Sequence, residues 1–460
     1  MTLDLNRRKM LSLGALAAGG AASPSLASPV LGSSLLPAAQ KLSLEIGPVQ
    51  VELAPGVVIH TTGYNGTAPG PVLRVREGEP LEIAVRNSTT EEELVHWHGL
   101  HNLPVPDGAL EQGSPLIPPG GDLLYQFTPR PAGTHWYHTH VMAMDDLTRG
   151  AYNGQYGFFL VEPRRSPGRY DREVLLAAHH WNPTLSEPDH HHGHCATLVY
   201  EHASFNDKKL GAGEPIRVKR GERVLFRMLN ASASEDIMLA LPGHRFTIIA
   251  LDGHPVPNPQ AVEVLALSVA ERIDAVVEMN TPGVWVLGSV KDAERGQGLG
   301  VVIEYEHERG PAIWQAPARL DWSYTTFANP GVECPDPDGV FTMRFERQVG
   351  HDGFERWLIN GHLTDHHHLP RLQVREGGRY RFRWINLSGC AHPVHLHRHS
   401  FHLTRVDQTP VNGLMKDTVN LPPYGVVEAE FVADNPGLTL FHCHHQLHMD
   451  YGFMLLLEYV

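Results

Sequence analysis

The sequence predicts an all-β protein of three antiparallel β-sandwich modules, and three observations carry that expectation. Glycine (44) and proline (36) are frequent, and apolar residues alternate over short stretches instead of recurring at helical spacing. That is the pattern of short strands joined by many turns. The 460 residues leave room for about three domains at roughly 150 residues each. One frame is also written three times along the chain, the signature of a repeated structural unit.

The frame opens at Val75-Arg76-Glu77-Gly78-Glu79, at Val218-Lys219-Arg220-Gly221-Glu222 and at Val374-Arg375-Glu376-Gly377-Gly378. An alternating run follows each and ends in Asn87, Asn230 or Asn386, nine residues after the Gly in every copy. A turn, a strand and an Asn-capped second turn fit that spacing. Later in each copy Pro131-Ala132-Gly133, Thr281-Pro282-Gly283 or Asn435-Pro436-Gly437 opens a further strand. These anchors put module one at about 41–163, module two at about 164–312 and module three at about 340–460. The proline-rich stretch 313–339 is expected to be a linker that wraps rather than packs.

Residues 1–40 read as an export signal and linker. Arg7-Arg8 is a twin arginine, a modest apolar stretch follows over 11–22, and then come Pro24 and small residues. The expected destination is periplasmic or secreted, by the twin-arginine route; an ordinary secretory signal is the alternative. The apolar stretch is too short and too rich in Gly and Ala to span a bilayer, so no membrane association is expected. A formal net charge of -14 without a long basic run argues against a nucleic-acid partner.

Histidine is the outlier, at 31, and its grouping carries the chemistry. Nine and eleven residues beyond the frame's Asn stand His96 and His98 in the first copy and His395 and His397 in the third. The second copy has Leu239 and Leu241 there. Five and seven residues beyond the later Gly stand His138 and His140, Gly288 and Val290, and His442 and His444. Between the members of these last pairs lie Thr139, Ser289 and Cys443. Two modules therefore carry ligand pairs where the middle one carries core.

In every pair the i, i+2 spacing puts both imidazoles on one face of an extended segment. Eight imidazoles on two copies of one frame suit a cluster of two or three copper ions between modules one and three. His392, Cys443 and His448 remain, and a thiolate with two imidazoles is the blue-copper donor set. Cys443 then becomes a short covalent wire between the two sites. A zinc site or a His-rich zinc store is the competing reading, but neither explains why Cys443 joins both ligand sets. The runs His190–His194 and His366–His368 read as solvated loops or auxiliary metal sites. If Cys443 binds metal, Cys195, Cys334 and Cys390 allow at most one disulfide within the chain, of unassigned pairing.

The motifs His96-Trp97-His98-Gly99, Gly133-Thr134-His135-Trp136-Tyr137-His138-Thr139-His140, His392-Pro393-Val394-His395-Leu396-His397 and His442-Cys443-His444 stand in one order along the chain. With Asp417-Thr418-Val419 before Pro422-Pro423, they make the chain resemble a three-domain multicopper oxidase of the laccase type, bacterial, over nearly the whole mature sequence. The resemblance implies three cupredoxin-like (Greek-key β-sandwich) domains, the middle one a spacer and part of the substrate rim.

It also implies four copper ions per chain. His392, Cys443 and His448 would hold type 1, and His96 and His395 would hold type 2. The two type 3 ions would take His98, His138 and His444, and His140, His397 and His442. The implied activity is one-electron oxidation of phenols, aromatic amines or similar donors coupled to four-electron reduction of O2 to water. A cuprous or metallo-oxidase acting on Cu(I) is the alternative. Electrons would enter through His448 and pass Cys443, and Asp107, nine residues after His98, would serve as proton donor, although Asp107-Gly108 is also a good turn pair.

Four departures from the family pattern stand out. The axial position beside the type 1 site falls on Phe453, with Met454 one residue too late, so a trigonal site of raised potential is expected. Met449 stands where many bacterial members have Glu, leaving Asp450 as a substitute relay. Arg398 replaces the usual Gly after His397 and is expected to project to solvent. No Met-rich insert is present, and Met142 and Met144 form only a small pair.

Overall fold

The computed structural model describes residues 39–164, 168–186, 198–331, 336–350, 354–364 and 368–460, within one compact unit, Ala38–Val460. The export signal, the His190–His194 run, His366, His367, Cys195 and Cys334 lie outside the described residues. Among the described residues, strands pair within 40–162, within 172–305 and within 329–459, two sheets in each. The all-β expectation holds, and the few helices are short. No helix among the described residues is long and apolar enough to cross a membrane.

The first block shows the plan. One sheet orders Val57–Tyr64, Gln40–Ala54, Leu81–Asn87 and Asp122–Phe127, and the other orders Leu73–Arg76, Tyr156–Glu162, Gly133–Thr139 and Val95–His98. Gln40–Ala54 runs parallel to Leu81–Asn87, and Leu73–Arg76 runs parallel to Tyr156–Glu162. Two parallel pairs recur in each of the other blocks. The modules are therefore mixed rather than antiparallel. A chain that crosses to the opposite sheet and back can re-enter beside its start in the same direction, which hairpins cannot do.

The repeated Asn does the same work three times. Each Asn side chain donates Nδ2–H to carbonyls across the turn: Glu91 and Ile117 for Asn87, Glu235 and Leu267 for Asn230, and Cys390, Pro422 and, at the longest distance, Leu421 for Asn386. Each Oδ1 accepts the backbone N–H two residues on. Gly78, Gly221 and Gly377 open the frames at φ +73, +82 and +78, where a Cβ is unfavourable. The strand between turns its alternate residues inward: Leu81, Ile83 and Val85 in module one, Tyr380, Phe382 and Trp384 in module three. Each such burial contributes about 1.5–3 kcal/mol.

Leu239 and Leu241 are buried in the core of the middle module, as expected of a frame without ligands. The stretch 313–339 departs from expectation. Ile313 bridges to Trp285, Tyr324 and Phe327 are buried in the core shared by modules two and three, and Asn329–Pro330 pairs with Thr409–Lys416. It packs because its aromatic residues find apolar surface between the two modules; proline content alone did not disclose that.

Candidate metal centre

Strand register brings the ligand pairs together. Val95–His98 pairs with Gly133–Thr139 so that Val95 faces Thr139 and His96 faces His138. His392–Leu396 pairs with Thr439–Cys443 so that Val394 faces Cys443 and His395 faces His442. The two modules thus present copies of one arrangement, and the copies meet about an approximate two-fold axis. His96 stacks on His397 with ring centroids 4.0 Å apart, and His98 on His395 at 3.8 Å. His138 meets His444 and His140 meets His442, both at 5.1 Å. All eight imidazoles are buried.

Their hydrogen bonds decide which nitrogen is bare. A carbonyl oxygen only accepts, so a ring nitrogen bonded to one carries the proton. His96 donates Nδ1–H to the Asp107 carbonyl (2.8 Å), His395 to Asp417 (2.8 Å), His138 to Thr139 (2.7 Å) and His442 to Cys443 (2.8 Å). In these four, Nε2 is left as the lone-pair atom. His98 is reversed: its Nε2 faces Asp417 Oδ1 at 3.1 Å, and Nδ1 is bare.

Nε2 of His96, His138, His395 and His444, with Nδ1 of His98 and His140, are buried without a hydrogen-bond partner. His442 Nε2 lies 3.0 Å from His397 Nε2. His397 directs its Nδ1 at Asp107 Oδ2, 2.9 Å away, so two lone pairs face each other. A cation between such atoms removes the repulsion and the unsatisfied acceptors together. His98, His138 and His444 form one group whose ligand atoms lie within 4.8 Å of each other; His140, His397 and His442 form another, and His96, His98 and His395 a third.

The fourth group is His392, Cys443 and His448. Cys443 Sγ lies 3.4 Å from His448 Nδ1 and 3.7 Å from His392 Nδ1, and the two nitrogens are 3.1 Å apart. The fold's repeated Asn reaches this site. Asn386 Oδ1 accepts the Ser388 hydroxyl, whose oxygen then accepts His392 Nε2–H at 2.9 Å, leaving Nδ1 bare. Trp357 packs on both imidazoles, at 4.6 and 4.3 Å. Burial holds both imidazoles well below their usual pKa and pushes the Cys443 thiol up. Neutral imidazoles suit ligation, and a bound cation supplies the charge that makes the thiolate. A trigonal set of two imidazole nitrogens and one sulfur favours copper over zinc.

Phe453, not Met454, stands beside this site. The Phe453 ring is 4.8 Å from that of His392. Met454 packs on the other face of its strand, with Ala109, Leu440, Met449 and Leu456. Asp107 is fully buried at the end of the short helix Pro104–Asp107, before Gly108 at φ +86. It is both a turn residue and a neighbour of the cluster. Its carbonyl binds His96, its Oδ2 binds His397 and accepts Gln112 Nε2–H at 2.6 Å, and burial pushes its carboxyl up to about 8.

Asp450 accepts N–H from Ala143, Met144 and Gln446 and so fastens the segment after His140. Arg398 does not project to solvent. It is 1 % exposed at φ +61 and donates to the carbonyls of Asn102, Asn435, Pro436, Gly437 and Leu438 and to Thr439 Oγ1. The left-handed backbone accounts for a position where Gly is usual, and the carbonyl cage accounts for the buried cation.

Sequence reasoning did not single out Glu93. It stands three residues before His96, as His392 stands before His395. The Thr139 and Cys443 N–H groups donate to Gln155 and Phe453 respectively, so Glu93, Thr139 and Gln155 occupy in module one the places of His392, Cys443 and Phe453. Glu93 Oε2 accepts from Thr139 Oγ1 (3.4 Å) and Gln155 Nε2 (3.1 Å). An oxygen-rich trio, its Glu93 carboxyl pushed up to about 7 by burial, replaces the thiolate site, and among the described residues the sulfur ligand of such a site stands in module three. The extended frame spacing carried that signal.

Three β-sandwich modules, a thiolate–imidazole site and an eight-imidazole cage define a copper-dependent oxidoreductase built from cupredoxin-like domains. Multicopper oxidase family models match residues 45–166, 174–304 and 337–459, and the chain belongs to the multicopper oxidase family. It is 28% identical over 450 residues to multicopper oxidase MmcO of Mycobacterium tuberculosis, covering 90% of this chain and 86% of the relative. Laccase-3 of Thanatephorus cucumeris is 24% identical, with 88% of each chain covered. Among solved structures, a multicopper oxidase from Pseudomonas thermotolerans superposes with TM-score 0.73 at 26% identity over 92% of this chain and 99% of that one. Fet3p, a multicopper oxidase that functions in iron import, shares the fold with TM-score 0.78 at 19% identity over 92% and 90%.

Proposed function

We propose that the chain holds four copper ions and acts as a laccase on phenolic or similar one-electron donors, with O2 as acceptor. The reading rests on one observation: Cys443 turns its sulfur to His392 and His448 while its neighbours His442 and His444 face the cage. His392, Cys443 and His448 would hold one ion, and the eight paired imidazoles would hold three: His96 and His395 one, and the two groups of three the others. When bound, copper supplies one-electron chemistry at the thiolate site and multi-electron reduction of O2 at the cluster.

The chain's own residues supply the rest. His392 is fully buried and His448 is 8 % exposed, so His448 presents the edge a donor can approach. His445 lies beside it, with ring centroids 4.8 Å apart, and Asp236 Oδ1 is 3.8 Å from His445 Nε2. A half-buried carboxylate near that edge can take the proton a phenol releases as it loses an electron. On the cluster side, Asp107 orients His96 and His397 and holds a proton for the oxygen chemistry.

A metallo-oxidase acting on Cu(I) is the second reading. Met142, Met449 and Met454 share one apolar cluster that reaches the helix bearing His448, and thioethers are soft donors. Oxygen uptake by copper-loaded, dialysed protein with a methoxyphenol separates the two. Uptake without added copper supports the laccase reading; uptake only with excess copper salt supports Cu(I) as carrier. We further place the mature chain in the periplasm or outside the cell, on the strength of Arg7-Arg8 and the apolar stretch after it. Arg7→Lys together with Arg8→Lys should leave the protein in the cytoplasm on fractionation; unchanged export would remove the twin-arginine assignment.

A further inference from the structure

The middle module supplies no ligand, yet one of its side chains is built against the cluster. Arg272 begins the strand Arg272–Glu278 and is fully buried. All five of its N–H donors are used. Nη1 and Nη2 fork onto Asp417 Oδ1 (2.8 Å) and Oδ2 (2.5 Å). Nε donates to the Thr134 carbonyl of module one (3.1 Å), and the remaining donors go to the carbonyls of Ala270 (3.1 Å) and Asp252 (3.2 Å). One guanidinium thus touches all three modules, with the planar bidentate geometry that Lys cannot reproduce.

Asp417 is the next link. The fork fixes both carboxylate oxygens, and Oδ1 then faces His98 Nε2 at 3.1 Å while its own carbonyl takes His395 Nδ1–H at 2.8 Å. His98, like His140, leaves Nδ1 bare, and its Nε2 is held by Asp417 Oδ1 together with Thr418 Oγ1 (3.2 Å), a hydroxyl that itself donates to Asp417 Oδ1 at 2.9 Å. The approach is tight: a Cβ on Gly99, at φ +87, would lie 2.7 Å from both Arg272 Nη2 and Asp417 Oδ2. Lys416 holds Asp252 and Glu271 at 2.9 and 3.0 Å behind the pair, so the surrounding charges are also matched.

We propose that Arg272 is a positioning residue for the trinuclear site: through Asp417 it fixes the ring orientation and bare nitrogen of His98, and so makes the ligand-free module a working part of the copper cluster. This rests on the copper assignment above, and the test separates the two. In the copper-loaded full chain, Arg272→Lys keeps the charge and loses the fork. The blue absorbance of the Cys443 site should persist, while copper affinity at the cluster falls about 10–100-fold, the range for loss of a ligand histidine's supporting partner. The type 2 electron paramagnetic resonance signal should shift with it, because the Asp417 carbonyl also holds His395, a ligand of that ion in the assignment above.

Asp417→Asn combined with Arg272→Gln should look the same as Asp417→Asn alone, because Arg272 acts only through Asp417. Removing both charges also keeps the measurement available if the single variant does not fold. Unchanged cluster copper and resonance in Arg272→Lys, equal loss of blue absorbance and cluster copper, or additive effects in the double variant would overturn the proposal. Wild-type protein lacking blue absorbance after loading would instead remove the copper assignment beneath it.

Discussion

Asp107 has no solvent exposure and touches two of the paired imidazoles, and its Oδ1 has no partner. Asp107→Asn keeps an acceptor for His397 and removes the exchangeable proton. Reduction of the blue site by a donor should be unaffected, while reoxidation by O2 slows by about 10²-fold, the low end for a lost general acid; stopped-flow absorbance separates the two phases. Phe453 offers no donor atom beside His392 and Cys443, which favours the reduced ion. Phe453→Met should lower the type 1 midpoint by tens of millivolts, about 59 mV being a tenfold change for one electron. A redox titration that finds no change would mean that Phe453 does not face the metal.

At the scale of elements, the turn Asn is the unit that folding repeats. Asn230 ties the strand Arg223–Asn230 to Leu267 and Glu235 in the module without ligands. Asn230→Ala leaves buried carbonyls without donors and should cost about 1–3 kcal/mol in chemical denaturation. Blue absorbance per bound copper should not change, since no ligand depends on that turn. Asn386 differs, because its Oδ1 also orients Ser388 and through it His392. The same substitution there should lower blue absorbance as well as stability. The frame was legible in the sequence because turns impose fixed spacing. The packing of 313–339 was not, because Tyr324 and Phe327 are buried by surfaces from two modules at once.

Across the whole molecule, the cage binds module one to module three, so metal and stability are linked. In metal-free protein, burial holds His138 and His395 at about 3 and His442 at about 4. A histidine unfolded in water titrates near 6.5. Below that pH the unfolded chain binds more protons than the folded one, so stability falls as pH falls from about 6.5 toward the folded values. The copper-free form should therefore show a steep drop in melting temperature between about pH 6.5 and 4, and the loaded form a higher melting temperature at neutral pH, since metal binds the folded state alone. Equal melting temperatures for the two forms at neutral pH would argue that these imidazoles do not bind metal.

The sequence by itself determined the all-β class, the threefold frame, the four i, i+2 histidine pairs and the Cys443 junction. Each depends on short-range periodicity: an extended chain alternates its faces whatever lies around it, and a turn fixes the spacing between strands. The resemblance to the multicopper oxidases, rather than any periodicity, put Phe453 and not Met454 at the axial position, and the Phe453 ring does lie beside His392. Only the tertiary structure decided what meets across modules. It placed His96 on His397 and His98 on His395, put Arg398 inside a cage of carbonyls, and brought Arg272 from the middle module onto Asp417. Those contacts join residues tens to hundreds of positions apart. They depend on how three sandwiches pack and on which buried donors and acceptors must find each other there, and no local pattern encodes that choice.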